Sequence, residues 1–380
     1  MTMQGGSKSG DRHFYFAGGG TGGHIYPALP VAEQIARIEP AAKIHFFCSS
    51  RSIDQRVLAP TGFEYTVLPA RGLSFRLREL SGFFRSFVQS YRTAKQAIAQ
   101  YENIVVVGVG GYVSAPVCLA AHRRKVPIAL LNVDIVPGRA NRVIARWADE
   151  VFVQFAETER YFTCKKVKVN VTGCPLRSGF RNPNPNEAME RLNLDKDKKV
   201  LLITGASSGS QSINRTVCSL VGKLDALADD WQIIHLTGPE NEEEVRDKYN
   251  DARISHKVLG YFDDMPNLLA AADLIIGRSG AVSVAEYAAA GAPSICMPYP
   301  HHKDRHQYLN AGKLVEAGAA VIVDDLPDDE DRAQWLWEEL EVLMKDEERR
   351  KEMSEACRAV ARPQADVKIA EGLLGMSQDK

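Results

Sequence analysis

Glu286 lies in the stretch Arg278-Ser-Gly-Ala-Val-Ser-Val-Ala-Glu286, directly after the apolar run Asp273-Leu-Ile-Ile-Gly277. A strand that stops at a glycine, turns through Arg-Ser-Gly-Ala and enters an Ala-rich helix aims free helix-start N–H groups above the sheet edge. That arrangement suits an anion. Glu286, expected in the first turn of the helix, can accept two hydrogen bonds from the vicinal hydroxyls of a ribose. Phosphate loop and ribose carboxylate together describe a nucleotide site. Taken alone, Ser283-Val-Ala-Glu286 also fits a capping box, in which Glu286 only closes the helix start.

A second candidate anion loop opens the chain. His13-Phe-Tyr-Phe-Ala17 reads as a strand, Gly18-Gly-Gly-Thr-Gly-Gly-His24 as a glycine loop, and a helix starts near Pro27 and runs through Ala36. Proline is tolerated in a first helical turn, and glycine lets the backbone approach a bound group. Gly18, Gly20 and Gly23 also satisfy the G-x-G-x-x-G of a dinucleotide fold. That fold wants an acid at the end of the second strand, where Ile44-His-Phe-Phe-Cys48 leads instead into Ser49-Ser50-Arg51. NAD is disfavoured, whereas Arg51 leaves NADP formally open.

The elements that must hold these loops alternate strand and helix. A strand and glycine turn fall at 104–114, and Ile104 to Ala121 is long enough for a membrane span but carries glycines, a proline and a tyrosine. A buried strand, turn and helix explain it better. Pro127-Ile-Ala-Leu-Leu131 leads into Asn132-Val-Asp134, and Val171-Thr-Gly-Cys-Pro-Leu-Arg177 reads as a strand whose end delivers an arginine. Turn-rich, charged segments at 181–186 and 194–199 mark a connection between domains. Beyond it the pattern restarts with strand Val200-Leu-Leu-Ile-Thr204, loop Gly205-Ala-Ser-Ser-Gly-Ser210 and a helix from Ile213, followed by strands at 232–236 and 258–262. Pro298 to Asn310 is a polar loop rich in side chains able to read a sugar. Two α/β halves with a glycine loop at each sheet edge predict ligand binding in a cleft between them.

Composition narrows the partners. Over 380 residues the formal net charge is −1, which gives no reason to expect nucleic acid. Seven cysteines at 48, 118, 164, 174, 218, 296 and 357 never form a C-x-x-C pair, so neither a disulfide framework nor a zinc site is indicated and a reducing cytosol fits. The first 12 residues are polar and read as a loose tail. Residues 71–95 hold five arginines and a lysine against one glutamate, interleaved with Leu73, Phe75, Leu77, Leu80, Phe83, Phe84 and Phe87. Such a segment suits an anionic membrane surface, or its phenylalanines are core and its arginines a solvated rim.

From Phe14 to about Asp324 the chain resembles the MurG-type members of glycosyltransferase family 28, bacterial cell-wall enzymes. The resemblance rests on Gly19-Gly-Thr-Gly-Gly-His24 with Pro27, Gly110-Gly-Tyr-Val-Ser114, Asn141, Gly173-x-Pro-x-Arg177 and Gly205-x-Ser-x-Gly209. It continues through Asp263-Asp264-Met265, Arg278-Ser-Gly-Ala281, Glu286, and His302-Lys-Asp-Arg305 with Gln307 and Asn310. It implies an α/β GT-B architecture of two Rossmann-like doubly wound domains. The expected limits are 1–178, with a C-terminal helix at about 364–380 packing back on it, and 179–363.

The resemblance further implies inverting transfer of N-acetylglucosamine from UDP-GlcNAc to the C4 hydroxyl of an undecaprenyl-diphosphate-linked muramyl-pentapeptide. No cofactor and no tightly bound metal are expected, and the location would be peripheral, on the cytoplasmic face of the membrane. Carried over by position, Phe262 and Ala281, Val282, Ser283, Val284 and Ala285 lie against the uracil, Glu286 on the ribose and Gln307 on the sugar hydroxyls. Arg177 and Ser207 lie near the diphosphate, faced by Thr21, Gly22 and Gly23. Direct displacement needs a base for the acceptor hydroxyl and positive charge for the departing UDP. His24 is the candidate base, its imidazole titrating near neutrality, or else it orients the glycine loop or binds the acceptor diphosphate.

Two positions depart from the family. Its His-Glu-Gln-Asn after the third strand reads Leu131-Asn132-Val133-Asp134 here, which puts Asp134 in the acceptor region, and its Gln-Gln pair reads His306-Gln307. A transferase using another lipid or polysaccharide acceptor, and a non-catalytic nucleotide-sugar sensor, are the rival readings.

Overall fold

The computed structural model describes residues 11–19, 25–72, 77–163 and 167–376, with only the backbone for 77–79. Thr21, Gly22, Gly23, His24, most of the expected tail and residues 73–76 near the start of the basic segment lie outside these. The chain divides into two compact units, residues 1–176 with 364–380, and residues 177–363.

Among the described residues the first unit carries a seven-stranded sheet. Its strands are β1 (His13–Ala17), β2 (Lys43–Ser49), β3 (Glu64–Leu68), β4 (Ile104–Gly108), β5 (Ile128–Asn132), β6 (Glu150–Val153) and β7 (Lys168–Val171), in the order β3-β2-β1-β4-β5-β6-β7. Every pairing is parallel, with Phe14 opposite Val105 and Ile44. Central strands such as Ile-Val-Val-Val-Gly are apolar throughout because both faces are covered. Phe14, Phe16, Val105 and Val107 pack under helix Ala28–Ile38, while Tyr15, Ala17 and Val106 face helices Leu77–Ile98 and Gly111–Arg123. Successive residues alternate faces, so one strand feeds two cores. The closing helix Ala365–Met376 belongs to this unit: Ile369, Ala370 and Leu373 are fully buried beside helix Ala28–Ile38, and Arg12 donates to the Leu374 carbonyl at 3.0 Å.

The second unit carries a six-stranded parallel sheet, β8 (Lys199–Thr204), β9 (Trp231–Leu236), β10 (Ser255–Leu259), β11 (Leu274–Gly277), β12 (Ser294–Cys296) and β13 (Ala320–Ile322), ordered β10-β9-β8-β11-β12-β13. One face is sealed by Leu336, Leu340 and Leu343 of helix Asp329–Lys345. In each sheet the strand order reverses once, between β1 and β4 and between β8 and β11. An open α/β sheet binds its ligands at that reversal, beyond the strand C-termini.

Several boundaries differ from those read in the sequence. The strand expected to run to Arg177 stops at Val171, because the Thr172 and Gly173 amides both donate to the Val153 carbonyl, Gly173 turns at φ 99°, and Pro175 has no N–H for a ladder. The strand expected at 258–262 ends at Leu259, where the Gly260 amide donates to Glu242 Oε2 at 2.8 Å. Pro27 caps its helix from outside instead of sitting in the first turn. The uncharged stretch from Ile104 splits into β4 and helix Gly111–Arg123, and among the described residues no helix is long and apolar enough to cross a membrane.

Helix Leu77–Ile98 divides the phenylalanines between the two readings. Ser86, Ser90, Ala94 and Ile98 form its buried stripe, small enough to let helix Gly111–Arg123 approach closely. Phe83 and Phe87 are half-buried, while Phe84 is 62% exposed and Val88, one turn on, 44%.

Candidate active site

At the reversal of the second sheet the loop 205–210 leaves β8. A side chain at Gly205 would put its Cβ 2.1 Å from the Ser210 amide nitrogen, and one at Gly209, where φ is +74°, would come 2.0 Å from the Thr237 carbonyl. The loop therefore folds tightly onto itself and onto the loop after β9, presenting backbone and the exposed Ser207 to solvent. Ser210 then caps helix Gln211–Ser219, accepting from the Ile213 amide.

Beside it, β11 ends at Gly277 and the chain turns into helix Ala281–Ala290. Arg278 is 7% exposed and spends its guanidinium inside the protein. Nη1 donates to the Met297 carbonyl at 2.8 Å, and Nη2 to Ser210 Oγ at 2.7 Å, Ser212 Oγ at 2.8 Å and Asp325 Oδ2 at 2.8 Å. Asp325 meets Arg332 at 3.5 Å through its other oxygen. This buried group ties three loops together at the sheet edge, a positioning role that the sequence reading did not assign to Asp325 or Arg332. Nothing local marks the ties of Asp325 to Arg278, 47 positions away, or of Arg332 to Thr216, 116 away.

The helix start corrects the reading of Glu286. Its N-cap is Gly280, with no side chain to cap, so Ser283 lies inside the helix and Glu286 falls in the second turn. The capping box does not form. Ala281 and Val284 are buried, and Val282, Ser283 and Ala285 half-buried. The Glu286 side chain is 17% exposed, and Arg177 Nη2 lies 3.9 Å from Oε1. Burial pushes the Glu286 carboxyl up to about 7 against the opposing pull of Arg177.

Arg177 also donates through Nη1 to the Asp263 carbonyl at 3.0 Å, so it joins the loop after β10 to the helix bearing Glu286. Phe262, in that loop, is 6% exposed. Gln307 sits in the first turn of helix His306–Glu316, which begins inside the stretch expected to be loop, after Arg305 in the left-handed region at φ 49°. Gln307 Oε1 accepts from the Tyr299 amide at 2.9 Å and its backbone carbonyl accepts from Ser279 Oγ at 3.0 Å. The carbonyl end of this amide is thus engaged. His306 stacks on His302 at 4.2 Å, with Nδ1 at 2.7 Å from Asp304 Oδ1.

In the second unit the structure brings together Arg177, Glu286, Phe262, 281–285, Ser207 and Gln307 along one sheet edge. In the first unit, two glycine loops interlock: a Cβ on Gly111, where φ is +74°, would lie 2.3 Å from the Gly19 carbonyl. Ser114 Oγ, 2.5 Å from the Ala17 carbonyl, accepts from the Gly110 amide and fixes the crossing. Beyond β5, Asn132 is 3% exposed; its Nδ2 donates to the Asp134 carbonyl at 2.7 Å and its Oδ1 accepts from Asn141 Nδ2 at 3.0 Å. Both ends of Asn132 are engaged, one in the turn and one by helix Arg139–Ile144, so this family departure is a staple, and Asp134 beside it is half-buried.

Two family models match the chain, the glycosyltransferase family 28 N-terminal domain over residues 14–153 and the family's C-terminal domain over 200–369. A curated relative from Caldicellulosiruptor saccharolyticus, the UDP-N-acetylglucosamine--N-acetylmuramyl-(pentapeptide) pyrophosphoryl-undecaprenol N-acetylglucosamine transferase, is 33% identical over 366 residues, 95% of this chain and 97% of the relative. Its namesake in Desulfitobacterium hafniense is 34% identical over 93% of this chain and 96% of its own. Among solved structures, MurG of Acinetobacter baumannii superposes with a TM-score of 0.72 at 25% identity, covering 96% of this chain and 99% of that one. A UDP-GlcNAc 2-epimerase from Neisseria meningitidis shares the fold at a TM-score of 0.67 and 15% identity, over 96% of this chain and 100% of that one. With two parallel-sheet α/β units of GT-B type and near-complete alignment to these transferases, the chain belongs to glycosyltransferase family 28.

Proposed function

We propose that this protein is a hexosyltransferase that moves N-acetylglucosamine from UDP-GlcNAc to the lipid-linked N-acetylmuramyl-pentapeptide of peptidoglycan synthesis. The observation that carries the reading is the relation, over nearly the whole of both chains, to curated transferases of that reaction. The geometry of the second unit supports it independently. A carboxylate in a dry position beside an arginine, at a sheet reversal, suits a ribose and a diphosphate.

In the proposed reaction the C4 hydroxyl oxygen of the muramyl sugar attacks the anomeric carbon of the donor. The new C–O bond forms as the bond from that carbon to the β-phosphate oxygen breaks, the hydroxyl proton passes to His24, and the configuration inverts. UDP leaves as an anion, stabilised by Arg177 and by the start of helix Ala281–Ala290. Glu286 as carboxylate accepts from both ribose hydroxyls, Gln307 donates to a sugar hydroxyl, and Thr21, Gly22, Gly23 and Ser207 face the diphosphate. Phe262 and residues 281–285 border the uracil.

Access to a lipid-borne acceptor requires docking on the membrane. The location in this reading is peripheral, on the cytoplasmic face, and docking on a membrane is supported by Phe84 and Val88, exposed on a helix whose segment is rich in arginine. The second reading, another lipid or polysaccharide acceptor, is favoured by Asn132, which stands locked in the turn where the family has a titratable residue. Release of UDP by the purified protein separates them: release dependent on a short-chain muramyl-pentapeptide diphospholipid is expected. Donor binding with no release on that lipid would overturn the acceptor assignment.

A further inference from the structure

The segment that opens the second unit is bound to the loop after β10 and to the helix Met265–Ala271 that follows it. Arg177 holds the Asp263 carbonyl, and a Cβ on Gly179 would lie 3.0 Å from the Pro266 ring. Asn184 donates its amide to Asn267 Oδ1 at 2.7 Å, and Asn267 Nδ2 reaches Glu187 Oε2 and Asp264 Oδ2, both at 2.9 Å. Helix Pro185–Arg191 is started by Pro185 and by Asn184, whose Oδ1 accepts from the Asn186 amide. At its end comes Arg191, whose guanidinium lies 4.7 Å over the Phe262 ring while Nη2 holds Asp263 Oδ1 at 2.7 Å.

Arg191 and Asp263 are 52% and 63% exposed, so the ion pair alone contributes little. Its position gives it a different significance. Asp263 is gripped on its carbonyl by Arg177 and on its carboxylate by Arg191, and the residue before it is covered by the same guanidinium. The backbone of Phe262 and Asp263 is thereby held in one place, at the C-terminal edge of the sheet next to Glu286. Phe262 offers its ring face to Arg191 and is 6% exposed, so its place is set by that contact.

We infer that Arg191 is a positioning residue for the nucleotide base, holding the Phe262–Asp263 backbone in the conformation that receives uracil. The inference rests on the UDP-GlcNAc reading of this site. A planar fork that both stacks and pairs is required, so lysine cannot replace it. Because Arg191 acts through Phe262 and Asp263, its loss should weaken base recognition and leave the chemical step alone.

The test measures UDP and CDP affinities by calorimetry, and KM and kcat for UDP-GlcNAc, in wild type, Arg191→Ala and Arg191→Lys. Expected for Arg191→Ala are a roughly tenfold rise in the UDP Kd and in KM, kcat within twofold, and a preference for UDP over CDP reduced severalfold. Arg191→Lys should recover less than half of the loss on a logarithmic scale. Unchanged UDP affinity, an unchanged UDP/CDP ratio, or a fall in kcat at constant KM would each overturn the inference. Should Arg191→Ala fail to fold, Arg191→Gln, which keeps the stem over Phe262, carries the same measurements. A wild-type protein that does not bind UDP would overturn the underlying reading instead.

Discussion

Replacing Glu286 by glutamine should stabilise the free protein and weaken its hold on UDP, two effects of opposite sign from one buried charge. The carboxyl titrates at about 7 in the folded protein against an ordinary 4.5, because burial disfavours its charged form more than Arg177 favours it. The difference, about 7 minus 4.5, at roughly 1.4 kcal/mol per pKa unit gives a ceiling of about 3 kcal/mol. Its sign follows from proton counting. Between pH 4.5 and 7 the folded state binds more protons at this site than the unfolded chain, so stability falls as pH rises through that window and stays low above it. Glutamine mimics the neutral form, so the variant's advantage should be smallest near pH 5, grow toward pH 7 and then level off. For a unit of this size about 3 kcal/mol corresponds to roughly 6–12 °C in Tm. UDP should reverse the order: two charge-assisted hydrogen bonds to ribose become neutral ones, a loss of about 1.5–3 kcal/mol, or roughly 10- to 100-fold in Kd. Calorimetric melting of both proteins from pH 5 to 8.5, with and without UDP, reads both effects. A Tm difference that does not change with pH would refute the burial argument, and unaltered UDP affinity would refute the ribose contact.

Other consequences are open to direct tests. His24→Ala should lower kcat at least 100-fold with KM for UDP-GlcNAc changed less than threefold, and full turnover in steady-state assays would remove His24 as base. Asp325→Ala leaves Arg278 and Arg332 buried without their shared carboxylate, so urea unfolding should report a loss of about 3–5 kcal/mol from the second unit; a loss below 1 kcal/mol would contradict the network. Phe84→Asp should reduce sedimentation with anionic phospholipid vesicles severalfold while leaving UDP affinity intact, and unchanged sedimentation would dismiss the exposed helix face as the docking surface.

How far the fold could be read from the sequence depends on the range of the interactions. Buried parallel strands such as Ile104-Val-Val-Val-Gly108 are apolar runs followed by glycine, and they announce themselves. Helix starts did not where the cap lacked a side chain or an ordinary backbone. Gly280 caps the helix of Glu286 silently, which let Ser283-x-x-Glu286 pass for a capping box one turn too late. Arg305 starts another helix from the left-handed region, a conformation that its residue type does not suggest, so Gln307 was expected in a loop. The motif residues themselves were recognisable from order and spacing. What their partners do was not, because Asp325 reaches Arg278 and Arg332 reaches Thr216 across the fold, and because Asn132 reads only as a departure from the family until its polar ends are seen bonded, one to the turn and one to Asn141.

The most direct measurement is the mass of the acceptor lipid after incubation with the purified protein and UDP-GlcNAc. The muramyl-pentapeptide diphospholipid should gain one N-acetylhexosamine, in step with the UDP released. A lipid of unchanged mass, beside a protein that binds UDP, would contradict the transfer proposed here.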